Sequence, residues 1–229
     1  MNKLNHLAII PDGNRRWAKQ HNVSLKIAYR KGIEKFWDIA KWMKKYVINT
    51  ITLWLFSKEN FARSESEKST LWQLFDHFLT EGLKRYEHNP RDEFKQVKVK
   101  FYGNLDIIPS YIVKKIHKVM DLTAENKPYK VNFMMGYGGR DEIVRAVNKI
   151  ISEGVKHVNE ELFSKYVDLD SDPDLVIRTG NVTRTSGFLL WNTVYSEFYF
   201  SKVLWPDFNE KEFEEAIKYY MSVKRNFGR

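Results

Sequence analysis

The feature that most limits what this chain can fold into is its rhythm. Short apolar runs of strand length alternate with longer segments whose apolar residues recur at helical spacing. Residues 6–10, 50–56, 97–102, 129–135, 174–177 and 198–200 read as strands. Between and after them, 16–20 reads as one helical turn, and 28–46, 66–88, 110–126, 141–153 and 209–225 as helices. Ile33, Phe36, Trp37, Ala40 and Met43 would face inward from the first long helix. Leu71, Leu74, Phe75, Phe78, Leu79 and Leu83 would do so from the second, and Ile143, Val144, Val147 and Ile150 from the helix at 141–153. Strands joined through helices run parallel, so this order predicts an α/β fold: one domain over 1–229 with a largely parallel central sheet flanked by helices. A length of 229 residues suits one domain, and 43% hydrophobic with 15% aromatic residues can fill its core.

Several function classes fall away on composition. There is no cysteine, which removes disulfides and thiolate metal sites and fits a reducing, cytoplasmic setting. No apolar run reaches membrane-spanning length, and the first apolar stretch is too short for a secretory signal, so the protein is expected to be soluble or peripheral at a membrane. The formal net charge of +9 suits a polyanion: nucleic acid, an anionic lipid surface or a diphosphate. Lys41, Lys44, Lys45, Lys114, Lys115 and Lys118 fall on helix faces and read as solvated surface. Neither nucleotide-binding glycine signature is present, and the histidines stand singly, without metal-ligand spacing. A nucleic-acid-binding role would rest on the charge alone, with no recognisable module behind it, and is not expected.

In parallel sheets ligands bind at the carboxyl ends of the strands. The polar clusters at 11–16, 57–63, 136–140 and 178–186 fall there, and are rich in Arg, Asn, Gly and Ser. Asp12-Gly13-Asn14-Arg15-Arg16 offers backbone N–H groups and a guanidinium to an anion. Asp12 would repel a bare phosphate but suits a magnesium ion held between carboxylate and diphosphate. Taken alone, Asp-Gly-Asn is more often a turn. Ser57 to Arg63 could hold a substrate or merely cap the next helix. Arg178, Arg184 and Ser186 surround a flexible loop in the manner of a phosphate clamp. Glu197, within an aromatic run, needs a metal or an arginine as partner. The aromatic and aliphatic residues of 66–83 are core by periodicity, with the lining of an apolar channel as the alternative.

HLAIIPDGNRRWA, LWLFSKENFAR, GYGGRDEI, DLVIRTG, RTSGFLLW, YSEFYF and VLWPDF occur in order from His6 to the C-terminus. Together they resemble the cis-prenyltransferases, the undecaprenyl diphosphate synthase-like family. The DGNRRW variant and the insertion-like NPRDEFKQ look closer to archaeal members. The resemblance implies a homodimer whose sheet and helices enclose a hydrophobic tunnel, and an enzyme that condenses isopentenyl diphosphate in cis with an allylic diphosphate such as farnesyl or geranylgeranyl diphosphate. It implies Mg²⁺ held by Asp12 and by Glu197 from near the dimer interface. Gly13, Asn14, Arg16 and Arg63 would bind the allylic diphosphate, with Arg15, Trp17, Ser57, Glu59 and Phe61 around it. Arg178, Arg184 and Ser186 would grip isopentenyl diphosphate. Asp12 would promote departure of the leaving group, and Asn60, with Ser57 nearby, would assist proton removal. A long product would call for peripheral membrane contact.

The chain departs from the family pattern at several places. Leu25 and Tyr29 stand where members carry Arg and His, although Lys26 and Arg30 are adjacent. Gly180-Asn181-Val182 replaces Gly-Gly-Glu, and Gly187 replaces an Asn. The 225–229 tail lacks the Arg-x-Gly of some hetero-oligomeric members. Leu55 is bulkier than the small residue of long-chain members, which predicts a short-to-medium product. Non-catalytic partner subunits of the family lose the first-motif Asp; Asp12 and Glu197 are both present here and argue for an enzyme.

Overall fold

Leu7 and Ile9 of strand β1 (His6–Ile10) enter one apolar cluster and Ala8 and Ile10 another, so the sheet it belongs to needs cover on both faces. In the computed structural model, which describes residues 3–89 and 93–224, β1 lies inside a six-stranded sheet of order β3-β4-β2-β1-β5-β6, with every pairing parallel. The others are β2 (Thr50–Ser57), β3 (Val97–Tyr102), β4 (Tyr129–Tyr137), β5 (Leu175–Arg178) and β6 (Glu197–Phe200). Each expected strand is found to within one or two residues at its ends. The single-domain, parallel α/β architecture follows as expected.

Helices α2 (Leu25–Lys45), α3 (Glu65–His88), α4 (Ser110–Leu122) and α7 (Glu210–Ser222) cover one face and share the main core with Leu7, Ile9, Ile51, Leu53, Leu175 and Ile177. The short α1 (Asn14–Gln20) packs on α2 through Trp17, Ala18 and Ala28. Helices α5 (Gly139–Ser152) and α6 (Glu160–Phe163) form a smaller cluster around Ala146, Ile150 and Phe163. Two helix ends differ from expectation for local reasons. α2 gains a turn because the Ser24 hydroxyl accepts the Ile27 N–H. α4 stops at Leu122 because the Thr123 hydroxyl donates to Val119 O at 2.8 Å and accepts the Val99 N–H at 3.1 Å, tying the helix end to β3. The expected 209–225 helix also ends early, at Ser222, where Val223 turns extended; residues 225–229 and residues 90–92 of the insertion-like stretch lie outside the described residues. Lys115 and Lys118, expected as solvated surface, reach across to α3 and pair with Asp76 and Glu87.

The expected inward face of α5 is corrected. Glu142, Ala146 and Ile150 are buried, whereas Val144 is 57% and Val147 41% exposed. The helix has rotated by about one residue, roughly 100°, because Glu142 has buried partners: Tyr137 donates its hydroxyl to one carboxylate oxygen and the Asp168 N–H donates to the other. Burial raises the Glu142 pKa above the usual carboxylate range, against those two hydrogen bonds.

Strand β2 carries an irregularity of consequence for the site. Trp54 pairs with Met134 and Phe56 with Met135, so Leu55 is passed over in the β2–β4 register; Gly136, with φ +62°, is passed over in turn on β4. Phe56 therefore faces the same core as Ile51 and Leu53 instead of alternating away from it. The connections also reverse at the centre of the sheet. β1 leads to β2 on one side and β5 to β6 on the other, which opens a crevice at the carboxyl ends of β1 and β5.

Candidate active site

The chain leaves β1 through Pro11 and Asp12, and Gly13 (φ +120°) turns it into α1. A Cβ on Gly13 would lie 2.9 Å from Leu204 Cδ2, so the turn leaves no room for a side chain. The backbone of Asp12 is fixed from outside its own loop: its carbonyl accepts the Thr179 hydroxyl at 2.7 Å and the Trp205 N–H at 3.0 Å. Its carboxylate then accepts Arg178 Nη2 at 2.9 Å on one oxygen and Arg16 Nη2 at 3.1 Å on the other. Arg178 also donates to Ser186 Oγ at 2.9 Å and to the Arg184 carbonyl, and Arg16 donates to the Gly180 carbonyl. Two clusters 166 residues apart in sequence are thus one hydrogen-bonded unit. One carboxylate faces two guanidiniums, so the cleft stays cationic. The Arg178 side chain is only 6% exposed, and its Nε has no hydrogen-bond partner among the described residues. A buried cation with an unused donor fits an anionic ligand. The clamp loop is shaped by left-handed residues: Asn181, Ser186 and Leu189 have φ of +54°, +53° and +47°. Since α1 has only 7 residues, these side chains, rather than a helix dipole, carry the positive potential.

Asp12 to Arg16, Tyr29 and Arg63 line an open cleft of about 400 Å³. It adjoins a chamber of about 280 Å³ that shares Asp12, Asn14, Tyr29 and Arg63 with it, has Ser57, Asn60, Arg178 and Ser186 at its polar end, and runs inward past Ile33, Leu55, Leu71 and Phe75 to Phe36. Phe36 also borders a second, almost wholly apolar cavity of about 90 Å³ between α2, α3, α4 and the sheet. Its ring lies 5.9 Å from that of Phe78 and 5.7 Å from that of Phe133, forming an aromatic partition between the two spaces. The core reading of 66–83 holds for Leu71, Phe75 and Leu79, with Phe78 packed against them; Leu71 and Phe75 also line the chamber, and Phe78, Leu79 and Leu83 the second cavity.

Of the residues expected around the allylic diphosphate, Gly13, Asn14, Arg15, Arg16 and Arg63 line the cleft, and Ser57 and Asn60 the chamber. Asn60 Oδ1 accepts the Ser57 N–H at 3.1 Å, so the capping reading of this segment is also true. A backbone N–H must meet an oxygen, which leaves Asn60 Nδ2, a donor, for the site. Phe61 packs on Phe56 and Trp72, at ring distances of 5.0 and 6.0 Å. Trp17 and Glu59 do not line the cleft: Trp17 stacks on His21 at 4.2 Å under Lys31, and Glu59 borders a separate surface pocket with Gly138 to Asp141. Arg184 joins through its carbonyl, its side chain lying exposed. Glu197 is not brought to Asp12 within one chain. It pairs with Leu175 at the amino end of the sheet, whereas Arg178, beside Asp12, pairs with Phe200, about 10 Å further along.

Among the described residues no group of three acidic, histidine or cysteine side chains could cage a metal. A magnesium ion bound together with a diphosphate needs less, one or two carboxylates with phosphate oxygens supplying the rest. Asp12 meets that requirement: its side chain is 31% exposed at the cleft, and a carboxylate bonded to two arginines keeps lone pairs free. Sequence reasoning missed Thr179 and Trp205, which fix the Asp12 backbone, and the pairing of Tyr29 with Glu67. None of these shows a local signal, since each works through a partner far along the chain.

Comparison with known proteins bears directly on this geometry. The profile of the family described as "Putative undecaprenyl diphosphate synthase" matches residues 10–228. An isoprenyl transferase of Fusobacterium nucleatum is 39% identical, the match covering 97% of this chain and 95% of the relative. A tritrans,polycis-undecaprenyl-diphosphate synthase (geranylgeranyl-diphosphate specific) of Thermoplasma acidophilum is 38% identical, covering 98% and 88%. Whole-chain identity thus gives the archaeal-looking stretches no separate weight. The crystal structure of lavandulyl diphosphate synthase from Lavandula x intermedia in complex with dimethylallyl diphosphate superposes with a TM-score of 0.91 at 29% identity, covering 99% of this chain and 98% of that one. That of a probable undecaprenyl diphosphate synthase from Campylobacter jejuni gives 0.83 at 33%, with both chains covered in full.

Proposed function

This chain belongs to the undecaprenyl diphosphate synthase family of prenyltransferases, and from that premise we propose that it joins isopentenyl diphosphate to an allylic diphosphate in cis, with magnesium. The observation that carries the reading is the shared lining: Asp12, Asn14, Tyr29 and Arg63 belong both to the cationic cleft and to the chamber that turns apolar behind it. A diphosphate with a prenyl tail is charged at one end and apolar at the other, and the space has the same division.

In this reading the allylic diphosphate lies against Asn14, Arg15, Arg16 and Arg63, its tail running past Leu55 and Phe75 toward Phe36. Arg178, with the Ser186 hydroxyl beside it and Arg184 closing over from the exposed loop, holds isopentenyl diphosphate. Placing both diphosphates on one crevice brings the alkene to the reacting carbon. The electron pair of the allylic C–O bond leaves with the diphosphate, and the terminal alkene carbon bonds to the freed carbon. A proton then passes from the methylene beside the new cationic carbon to a diphosphate oxygen. The arginines neutralise charge developing on the leaving group, and the apolar wall keeps water from the allylic cation. Magnesium, held by Asp12 and phosphate oxygens, would add further charge neutralisation to the leaving diphosphate. Asn60, presenting Nδ2, orients a diphosphate oxygen, so its part in proton removal is indirect. A metal shared between Asp12 and Glu197 would require Glu197 to come from a second copy.

Two further parts of the reading rest on surfaces. Val144, Val147 and Ile151 form an apolar stripe on α5, with Leu190 and Val194 also exposed, and we assign this surface to a homodimer. No helix among the described residues is long and apolar enough to cross a membrane, so contact of a long product with lipid would be peripheral.

The test uses purified protein, radiolabelled isopentenyl diphosphate and a set of allylic primers, with magnesium present or chelated. Extension should require the metal, and Asp12→Ala should lower it by on the order of 10²–10³-fold or more while the protein stays folded. Extension that persists in chelator, or undiminished in the variant, would refute the assignment.

A further inference from the structure

We propose that Tyr29 and Glu67 are positioning residues for the allylic site, jointly holding the Arg63 guanidinium at the diphosphate cleft. The inference rests on the reading just given, and goes beyond it in assigning to two residues a role that acts through Arg63.

Arg63 stands two residues before α3, just ahead of its N-cap Ser64, and Glu67 in the first turn of that helix, its N–H accepted by the Ser64 hydroxyl. Tyr29 comes from the second turn of α2. The three side chains close on one another: Tyr29 donates its hydroxyl to Glu67 Oε1 at 2.6 Å, and Arg63 Nη1 donates to the Tyr29 hydroxyl at 3.1 Å and reaches Glu67 Oε1 at 3.2 Å. The Glu67 side chain is 9% exposed and Tyr29 is 5% exposed, so the pair sits largely shielded at the α2–α3 seam. Arg63 is the member that faces the cleft, at 23% exposure, with its guanidinium also over the rings of Tyr29 and Phe56.

A buried carboxylate is costly unless it is paired, and an apolar side chain would pack the seam at less expense. Its presence is explained by what it does to Arg63. One nitrogen of the fork is committed to Glu67 and Tyr29, which fixes the plane of the guanidinium and leaves its other donors for the diphosphate. An unrestrained arginine would lose rotamer freedom on binding; one already held loses less, and the difference appears as affinity. Tyr29 suits the part. Burial and the Glu67 hydrogen bond push its pKa above the ordinary phenol range, against the lowering effect of Arg63, so the hydroxyl stays a donor throughout the working pH range.

The experiment measures KM for the allylic diphosphate and for isopentenyl diphosphate separately, in wild type, Tyr29→Phe, Glu67→Gln and Arg63→Ala, with thermal melts of each. Tyr29→Phe removes the hydroxyl that links Arg63 to Glu67, Glu67→Gln removes the charge that pairs with Arg63, and both keep side-chain shape. Each should raise the allylic KM about tenfold, the loss of roughly one charge-assisted hydrogen bond, and leave the isopentenyl diphosphate KM within about twofold, because Arg178 and Ser186 are untouched. Equal rises in both KM values would mean a merely structural role and overturn the inference. So would unchanged KM values in the two variants when Arg63→Ala raises the allylic KM. An unchanged allylic KM in Arg63→Ala would overturn this inference and the allylic assignment of the cleft together.

Discussion

His6 couples folding stability to pH at a point the chemistry does not use. It opens β1 with no exposed surface, its Nε2 2.8 Å from Thr52 Oγ1 and its Nδ1 3.1 Å from Ser171 Oγ, and Thr52 in turn accepts from Asn132. Burial, aided by Lys130 and opposed by Asp174 and Asp170, lowers its pKa from 6.5 to about 4. A histidine kept neutral in the fold binds its proton more readily once unfolded. Its contribution is therefore complete above the unfolded pKa and is lost as pH falls from 6.5 toward 4. Each unit of separation is worth about 1.4 kcal/mol, so the full contribution is roughly 3.4 kcal/mol, of which about 2 kcal/mol has gone by pH 5. Urea unfolding of wild type and His6→Gln at pH 7 and pH 5 isolates it, since carboxylates common to both proteins cancel in the difference. The wild type should lose about 2 kcal/mol more than the variant, about 4–8 °C in Tm for a chain of this size. Equal losses in the two proteins would refute the reasoning, because the buried imidazole would then not be the group that titrates.

Replacing Leu55 by Ala widens the chamber without removing a polar contact, so chromatography of the products should show a shift to longer chains; an unchanged or shorter distribution would contradict its place on the wall. If the α5 stripe is a dimer interface, wild type should sediment as a dimer and Val147→Asp, which puts a charge into it, as a monomer at the same concentration, with the far-UV spectrum unchanged. A variant that associates as wild type does would remove that face from the interface.

The sheet was readable because its strands are dense apolar runs and its crossovers carry a clear helical period. The clustering of Asp12, Arg16, Arg178 and Ser186 was readable for a topological reason: in a parallel sheet, loops that follow strands must gather at one edge. What escaped the sequence depends on partners far along the chain. Trp17 follows two arginines of the first motif, yet its ring faces α2. Glu142 looks like a surface position of α5 until Tyr137 and Asp168 are seen to satisfy it, and that one placement turns Val144 and Val147 outward. Glu197 reads as a site carboxylate by composition, but the register of β6 sets it at the amino end of the sheet. Tyr29 reads as a lost histidine until Glu67 is found beside it.

The residue passed over in β2 bears on how such an enzyme can change. Leu55 takes part in no cross-strand pair, so its side chain can grow or shrink without a ladder neighbour losing contact. Trp54 and Phe56, on either side, stay registered with Met134 and Met135 whatever occupies position 55. A wall of the chamber has thereby been uncoupled from the framework that carries it. Substitution there is expected to reshape the chamber wall while leaving the strand pairings and the Ser57–Asn60 segment in place. Deleting the residue is another matter: Phe56 would keep its face, but the shift at Leu55 would no longer offset the one at Gly136, and Ser57 and the segment beyond it would be drawn out of register with Tyr137.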